Sequence, residues 1–274
     1  QLIKSHTSMK VVHASIRTLC VLVRKTEHEG IVVGLKNASS AFLSRQPPPR
    51  QVPPIMRCLF NLGHFHRYFD FDSHENESSA MAGAASSTKR DLRVLLKYSS
   101  LSQPQPVLLK ALQGLGNLFI RAPGLMPSCK GLLGACLKHE GHLVRAQVLT
   151  QFIEFLDVER KIGSEDHDER EGGEEEESTD RPPALHDGSD QGARALQSCL
   201  PAVMALLRDQ RTTVRKLALR TVDALLRHGL AHPAHCAGAV IVLLADETPG
   251  MHERVVELLR LVQRKCPGML HSRV

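Results

Sequence analysis

The stretch LLRDQRTTVRKLALRTVDALL, Leu206–Leu226, carries the reading of the fold. It ends one helix, makes a tight turn and starts another. Val214, Ala218, Val222 and Leu225 recur every three or four residues, which places them on one stripe of a helix. Asp209 stands in the turn, where a carboxylate is suited to cap the second helix. Arg215 lies one turn into that helix and is placed to reach the turn of a neighbouring unit. Both residues are read as structural.

Comparable second helices recur along the chain. They are marked by Val107 in QPVLLKALQGL, Val144 in HLVRAQVLTQF, Val214 in TTVRKLALRTV and Met251 in GMHERVVELL, at spacings of 37, 70 and 37 residues. Taking a linker of roughly 30 residues out of the middle interval leaves about 40, near the period of HEAT and armadillo units. One helix pair cannot bury its own apolar face, whereas stacked pairs share a continuous core. The sequence therefore predicts an all-α fold, an α-solenoid of HEAT-type helix pairs. Composition agrees: Leu and Ala dominate, aromatics are only 4% and Trp is absent, which suits helices better than strands.

Breaks divide the chain. Residues 1–45 read as a helical lead-in and 50–162 as HEAT-type repeats. Residues 163–190 read as an acidic disordered linker, and 191–274 as further repeats. The linker, GSEDHDEREGGEEEESTDRPPALHDGSD, has too few apolar residues to offset its chain entropy. Asp72–Ser87 reads as a second loop, and the prolines of QPPPRQVPP, Gln46–Pro54, as helix breakers. Helices are expected over 57–71, 89–101 and 106–120. Pro123 and Pro201 suit first turns, and Gly141 and Gly229 suit helix C-termini. Gly114, in GLG within an apolar helix, reads as a site of close helix approach.

The function classes narrow next. A first residue of Gln rather than Met leads us to expect a fragment of a longer protein. No signal peptide and no run of about 20 apolar residues is visible, so no membrane partner is expected. Seven unevenly spaced cysteines without a Cys-x-x-Cys pair read as reduced, buried thiols of the cytosol or nucleus. His228, His232, His235 and Cys236 are the sharpest metal-like set, but Gly229 and Pro233 break the helix there and no established zinc spacing is met. His64 and His66 are two apart and read as packing or surface residues, and Glu174–Glu177 lacks calcium-loop spacing. No catalytic residue, metal site or cofactor is expected.

The basic residues are more informative. Glu165–Asp180 holds ten acidic residues and one basic residue, a net −9 that leaves +15 on the rest of a chain whose formal total is +6. Lys216, Arg220 and Arg227 share one helical stripe, interrupted by Asp223, and Arg208 and Arg211 precede it. Such a stripe can follow a phosphate backbone without reading sequence. The same pattern is also the solvated face of any amphipathic helix.

Several blocks resemble the Nipped-B family, the cohesin-loading subunit also called sister chromatid cohesion protein 2. They are RCLFNLGHFHRYFDFD (Arg57–Asp72), KALQGLGNLFIRAPGLM (Lys110–Met126) and VRKLALRTVDALLRHGLAHPAHC (Val214–Cys236), continuing through LLADETPGMHERVVELLRLVQRKCPGMLH. The family's Gly-Leu-x-His-Pro turn, Thr-Pro loop and Lys-x-x-Gly-like helix end are matched by Gly229, Leu230, His232, Pro233, Thr248, Pro249, Lys265 and Gly268. The resemblance covers roughly residues 50–274. His228 stands where the family usually has Gln, and the linker is unusually acidic. The family's distant N-terminal region and most of its hook-shaped C-terminal part are absent.

This resemblance implies a HEAT-repeat scaffold of nucleus and chromatin, without a catalytic centre. It implies docking on cohesin (SMC heads and kleisin), gripping of double-stranded DNA and stimulation of the SMC ATPase in sister chromatid cohesion. A partner loader subunit would bind through a region absent here. On residues alone, two other readings stay open: a HEAT adaptor that binds only protein, and a helical enzyme with an unrecognised site.

Overall fold

The computed structural model describes residues 3, 8–26, 28–48, 50–73, 86–168 and 189–267, with side chains of 160–168 and 189 left out. Every regular element among them is a helix. The chain divides into two compact units, with the break after Pro123. That break falls inside the 50–162 block expected from the sequence. Proline 123 interrupts the helical run there, and the preceding Ala122 leaves the helical region at φ −128° and ψ 70°.

The first unit holds α1 (Met9–Thr26), α2 (Gly30–Ser44), α3 (Val52–Tyr68), α4 (Ser87–Tyr98) and α5 (Gln105–Arg121). Helix α3 is its hub and packs against α1, α2, α4 and α5. Its RCLFNLGHFHRY sequence is buried nearly all round, from Leu59 to His66. Val12, Ile16, Cys20 and Val23 of α1 join Val32, Phe60, Phe65, Phe69 and Phe71 in one core. Where α3 crosses α5, Gly63 meets Gly114. A Cβ on Gly63 would stand 2.5 Å from the Gly114 Cα, so the backbones approach as only glycine permits.

Two details depart from expectation. Pro53 and Pro54 lie in the first turn of α3, where a proline costs no hydrogen bond; they start the helix instead of breaking one. Helix α4 is capped from afar. Asp72 Oδ1 accepts the Thr88 amide at 3.1 Å and Oδ2 accepts the Ser86 hydroxyl at 2.7 Å. Of the Asp72–Ser87 loop, residues 74–85 lie outside the described residues.

The second unit begins within a 3₁₀ helix, Pro123–Cys129. It continues with α6 (Lys130–Leu137), α7 (His142–Asp168, of which residues 142–164 belong to this unit), α8 (Ser189–Leu206), α9 (Thr212–Arg227), α10 (Pro233–Val242) and α11 (Met251–Lys265). Helix α8 packs on α6 and α9, and α10 packs on α11. Val214, Ala218, Val222 and Leu225 are buried, as their spacing requires. Helix α7 runs to Asp168, past the expected linker start at 163, because extending an existing helix is far easier than nucleating one. Residues 169–188 of the acidic segment, with Glu174–Glu177, lie outside the described residues.

Two further expectations are corrected. Pro201 lies deep inside α8, where buried Leu196, Cys199 and Val203 hold the helix on both sides of it. Gly141 opens α7 rather than closing a helix, since its carbonyl accepts the Val144 amide at 3.0 Å. Gly229 does terminate α9, at φ 71°. The Leu230 amide bonds to the Leu225 carbonyl (2.9 Å) and the Gly229 amide to that of Leu226 (3.2 Å), the two bonds of a Schellman end.

Candidate macromolecular interface

The inter-helix turns of the second unit repeat one arrangement. His139, Asp209 and Asp246 each stand five residues before Val144, Val214 and Met251. Each accepts the amide two residues on: His139 Nδ1 from Gly141 (2.9 Å), Asp209 Oδ1 from Arg211 (2.8 Å) and Asp246 Oδ1 from Thr248 (2.9 Å). Asp209 therefore shapes the turn, and α9 has no side-chain cap. Arg211, not Asp209, occupies the N-cap position, and the Asp209 carboxylate is also engaged by an arginine.

That arginine is Arg145, whose Nη1 bonds to the carbonyls of its own turn, His139 and Glu140. Its Nη2 donates to Asp209 Oδ1 at 3.1 Å, and its Nε lies 2.8 Å from Oδ2. Arg215 repeats the pattern. Nη1 donates to the carbonyls of Asp209 (2.9 Å) and Gln210 (3.3 Å). Nε and Nη2 reach forward to Asp246 at 2.7 and 3.1 Å, and Nη2 also meets Thr248 Oγ1 at 3.0 Å. Hydrogen bonds from Arg215 and Thr248 hold the Asp246 carboxyl well below the usual carboxylate range. Arg145 and Asp246 were missed in the sequence, although their register with Arg215 and Asp209 is legible there.

The proposed cations fall into two groups. Arg208 and Arg211 are exposed beside the turn before α9, and Lys216 is half-buried one turn into the helix; none makes an ion pair among the described residues. Arg220 and Arg227 instead line a groove of about 390 Å³ built by α7, α9 and α11. Arg227 is engaged there. Its Nε lies 2.8 Å from Asp223 Oδ1 and its Nη2 3.6 Å from Glu257 Oε1. The basic stripe expected along α9 is thus split, because Asp223 and the neighbouring helix supply carboxylates to its far end.

Other polar clusters serve packing. Lys36, Asp91 and His66 are all at least 98% buried. Asp91 takes His66 Nε2 at 2.9 Å, Lys36 Nζ at 3.1 Å and the Ser40 hydroxyl at 2.6 Å. Burial pushes its carboxyl up, but the His66 bond and the charges of His66 and Lys36 bring it below its ordinary value. His64 is buried against His13 and Phe60. Cys20, Cys136 and Cys236 are buried free thiols, pushed by burial up to about 12, 11 and 11. Near His228, the His232 Nδ1 accepts the Ala234 amide at 3.2 Å and its ring lies 5.4 Å from that of His235. Among the described residues no group of three or more His, Cys, Asp or Glu side chains is arranged to hold a metal ion, and no helix is long and apolar enough to cross a membrane.

Residues 193–274 match the family described as sister chromatid cohesion C-terminus. Nipped-B-like protein B of Danio rerio is 28% identical over 225 residues, 81% of this chain and 8% of its own length. The Homo sapiens Nipped-B-like protein is 26% identical over 226 residues, again 81% of this chain and 8% of its own. The Drosophila melanogaster Nipped-B protein is 23% identical over 241 residues, 81% of this chain and 11% of its own. This chain thus spans about a tenth of the length of these relatives. The C-terminal fragment of the Chaetomium thermophilum cohesin loader SCC2 shares the fold, with a TM-score of 0.72 at 16% identity, over 98% of this chain and 20% of that one. The chain is thus similar to the Nipped-B-like proteins over about four fifths of its length, and its residues 193–274 match the family described as sister chromatid cohesion C-terminus.

Proposed function

We propose that this chain is part of a cohesin-loader scaffold that binds cohesin and double-stranded DNA and stimulates the SMC ATPase without chemistry of its own. The observation that carries the reading is the family match at residues 193–274, which spans the turn and helix bearing the basic residues. Nuclear, chromatin-bound action and a partner loader subunit bound through another region follow from the same kinship. Arg208, Arg211 and Lys216 lie together at the turn and start of α9 and make no ion pair among the described residues, so they form the DNA contact proposed here. Arg220 and Arg227, included in the track on sequence grounds, share their groove with carboxylates and are left out of it.

Titration of the whole chain against duplexes of unrelated sequence tests this. Log affinity is expected to fall with log salt at about −0.9 per phosphate contact. Changing Arg208, Arg211 and Lys216 together to Glu should weaken every duplex alike and flatten that slope. Unaltered DNA affinity in the triple variant would defeat the assignment. Addition of the chain to purified cohesin should raise ATP turnover with DNA present, and an unchanged rate would leave the ATPase role unsupported. A protein-only adaptor is favoured by one observation, the mixed charge of the groove.

A further inference from the structure

The groove formed by α7, α9 and α11 has an apolar floor and three arginines and three carboxylates that are unevenly paired. Ile153, Leu219 and Leu258 form the floor. Arg227 is satisfied by Asp223 and Glu257 within the groove. Arg220 and Arg254 line the same depression, are solvent-exposed and make no ion pair among the described residues. They come from two different helices, so two guanidiniums are offered over one floor. Asp157, at the α7 side, is the one carboxylate of the lining without an ion pair among the described residues.

We infer that this groove docks an acidic peptide segment of a protein partner, with carboxylates for Arg220 and Arg254 flanking an apolar side chain seated on the floor. Three considerations select that occupant. The planar guanidinium fork matches a carboxylate with two parallel hydrogen bonds. A space of about 390 Å³ takes a few side chains, which is the scale of a peptide anchor and far below that of a duplex. Asp157, Asp223 and Glu257 line the same depression, and a backbone with one charge per about 1.7 Å would press phosphates against them. A peptide can place its few acids on the arginines and avoid the carboxylates. The groove lining includes none of Arg208, Arg211 and Lys216, so different substitutions test this inference and the DNA reading.

The test is fluorescence polarisation of the whole chain with a labelled helical peptide carrying two Glu residues either side of a Leu. Its Gln counterpart, a Lys counterpart and a duplex DNA serve as comparisons. The Glu peptide is expected to bind saturably and the Gln peptide roughly tenfold or more weakly, the scale of losing charge-assisted pairs. Changing Arg220 and Arg254 together to Gln should cost the Glu peptide a similar factor and leave duplex affinity unchanged. Arg220→Glu with Arg254→Glu should transfer preference to the Lys peptide. Both residues are exposed and make no ion pair among the described residues, so circular dichroism should stay native. Equal binding of Glu and Gln peptides, no saturable binding up to about 1 mM, or retained affinity in the double Gln variant would overturn the proposal. So would a loss of duplex affinity matching that of the peptide, which would mark a nucleic-acid site.

Discussion

Gly63 and Gly114 set a close helix approach in the first unit. Alanine at 63 would gain about 1 kcal/mol of helix propensity, but its Cβ would meet the Gly114 backbone at 2.5 Å. Backbone cannot rotate away as a side chain can, so the clash wins. Gly63→Ala is expected to destabilise by about 1–3 kcal/mol in urea unfolding. Gly114→Ala should cost less, because its nearest obstacle is the Leu95 Cδ2 at 2.8 Å; equal effects would refute this account. His64 offers a second residue-scale test. Burial first, then the charges of His13, Arg67 and Lys110, push its pKa from 6.5 to about 3. Between these values the unfolded chain binds a proton that the folded chain refuses. Stability should therefore fall as pH drops from about 6.5 toward 3. Asp91, whose folded pKa is lowered, adds a loss only below about 4, its ordinary range. His64→Gln, measured by melting temperature across pH 4.5–7, should flatten the upper part of the curve. A variant with the wild-type slope would show that His64 is not its source.

At the scale of elements, the paired arginines join each turn to the next. Arg215 satisfies two carbonyls of its own turn and the Asp246 carboxylate of the following one. The pair is partly exposed, 19% and 10%, so its Coulombic part is screened and the orphaned carbonyls matter more. Arg215→Met is expected to destabilise by about 1–3 kcal/mol. Asp246→Ala should cost less, since the carbonyl contacts remain. A double-mutant cycle should return a coupling of about 0.5–3 kcal/mol, and strict additivity would mean the two groups act separately. Asp209 satisfies the Arg211 amide while Arg145 holds its carboxylate, which orients the chain into the helix.

For the molecule as a whole, charge distribution is the long-range property. Residues 169–180 hold seven acidic residues and one arginine, so deleting them raises the formal net charge from +6 to +12. Duplex affinity at low salt should rise on deletion and converge with wild type as salt shortens the Debye length to about 8 Å and below. Identical low-salt affinities would mean that this segment exerts no field on the bound DNA. The cut begins beyond the end of α7 and stops before α8, so it spares both helices.

Periodicity settled much of this protein in advance. Local sequence is enough to place helices when apolar residues recur every three or four positions, and Val214, Ala218, Val222 and Leu225 are buried as that rule demands. The Gly229 turn was equally legible, because only a residue free of Cβ strain closes a helix at positive φ. Similarity to the Nipped-B-like proteins was readable from blocks held in order along the chain. Tertiary structure decided what depends on residues distant in sequence. Pro201 is carried inside α8 by packing on both sides. Asp209 serves Arg145, 64 residues away, rather than capping its own helix. Arg227 looks like a free cation on its own stripe, yet Glu257 of α11 reaches it and turns a basic track into a mixed groove. Spacing along a chain dictates which face a side chain occupies; the charges and atoms it meets there are set by other helices, which no local pattern encodes.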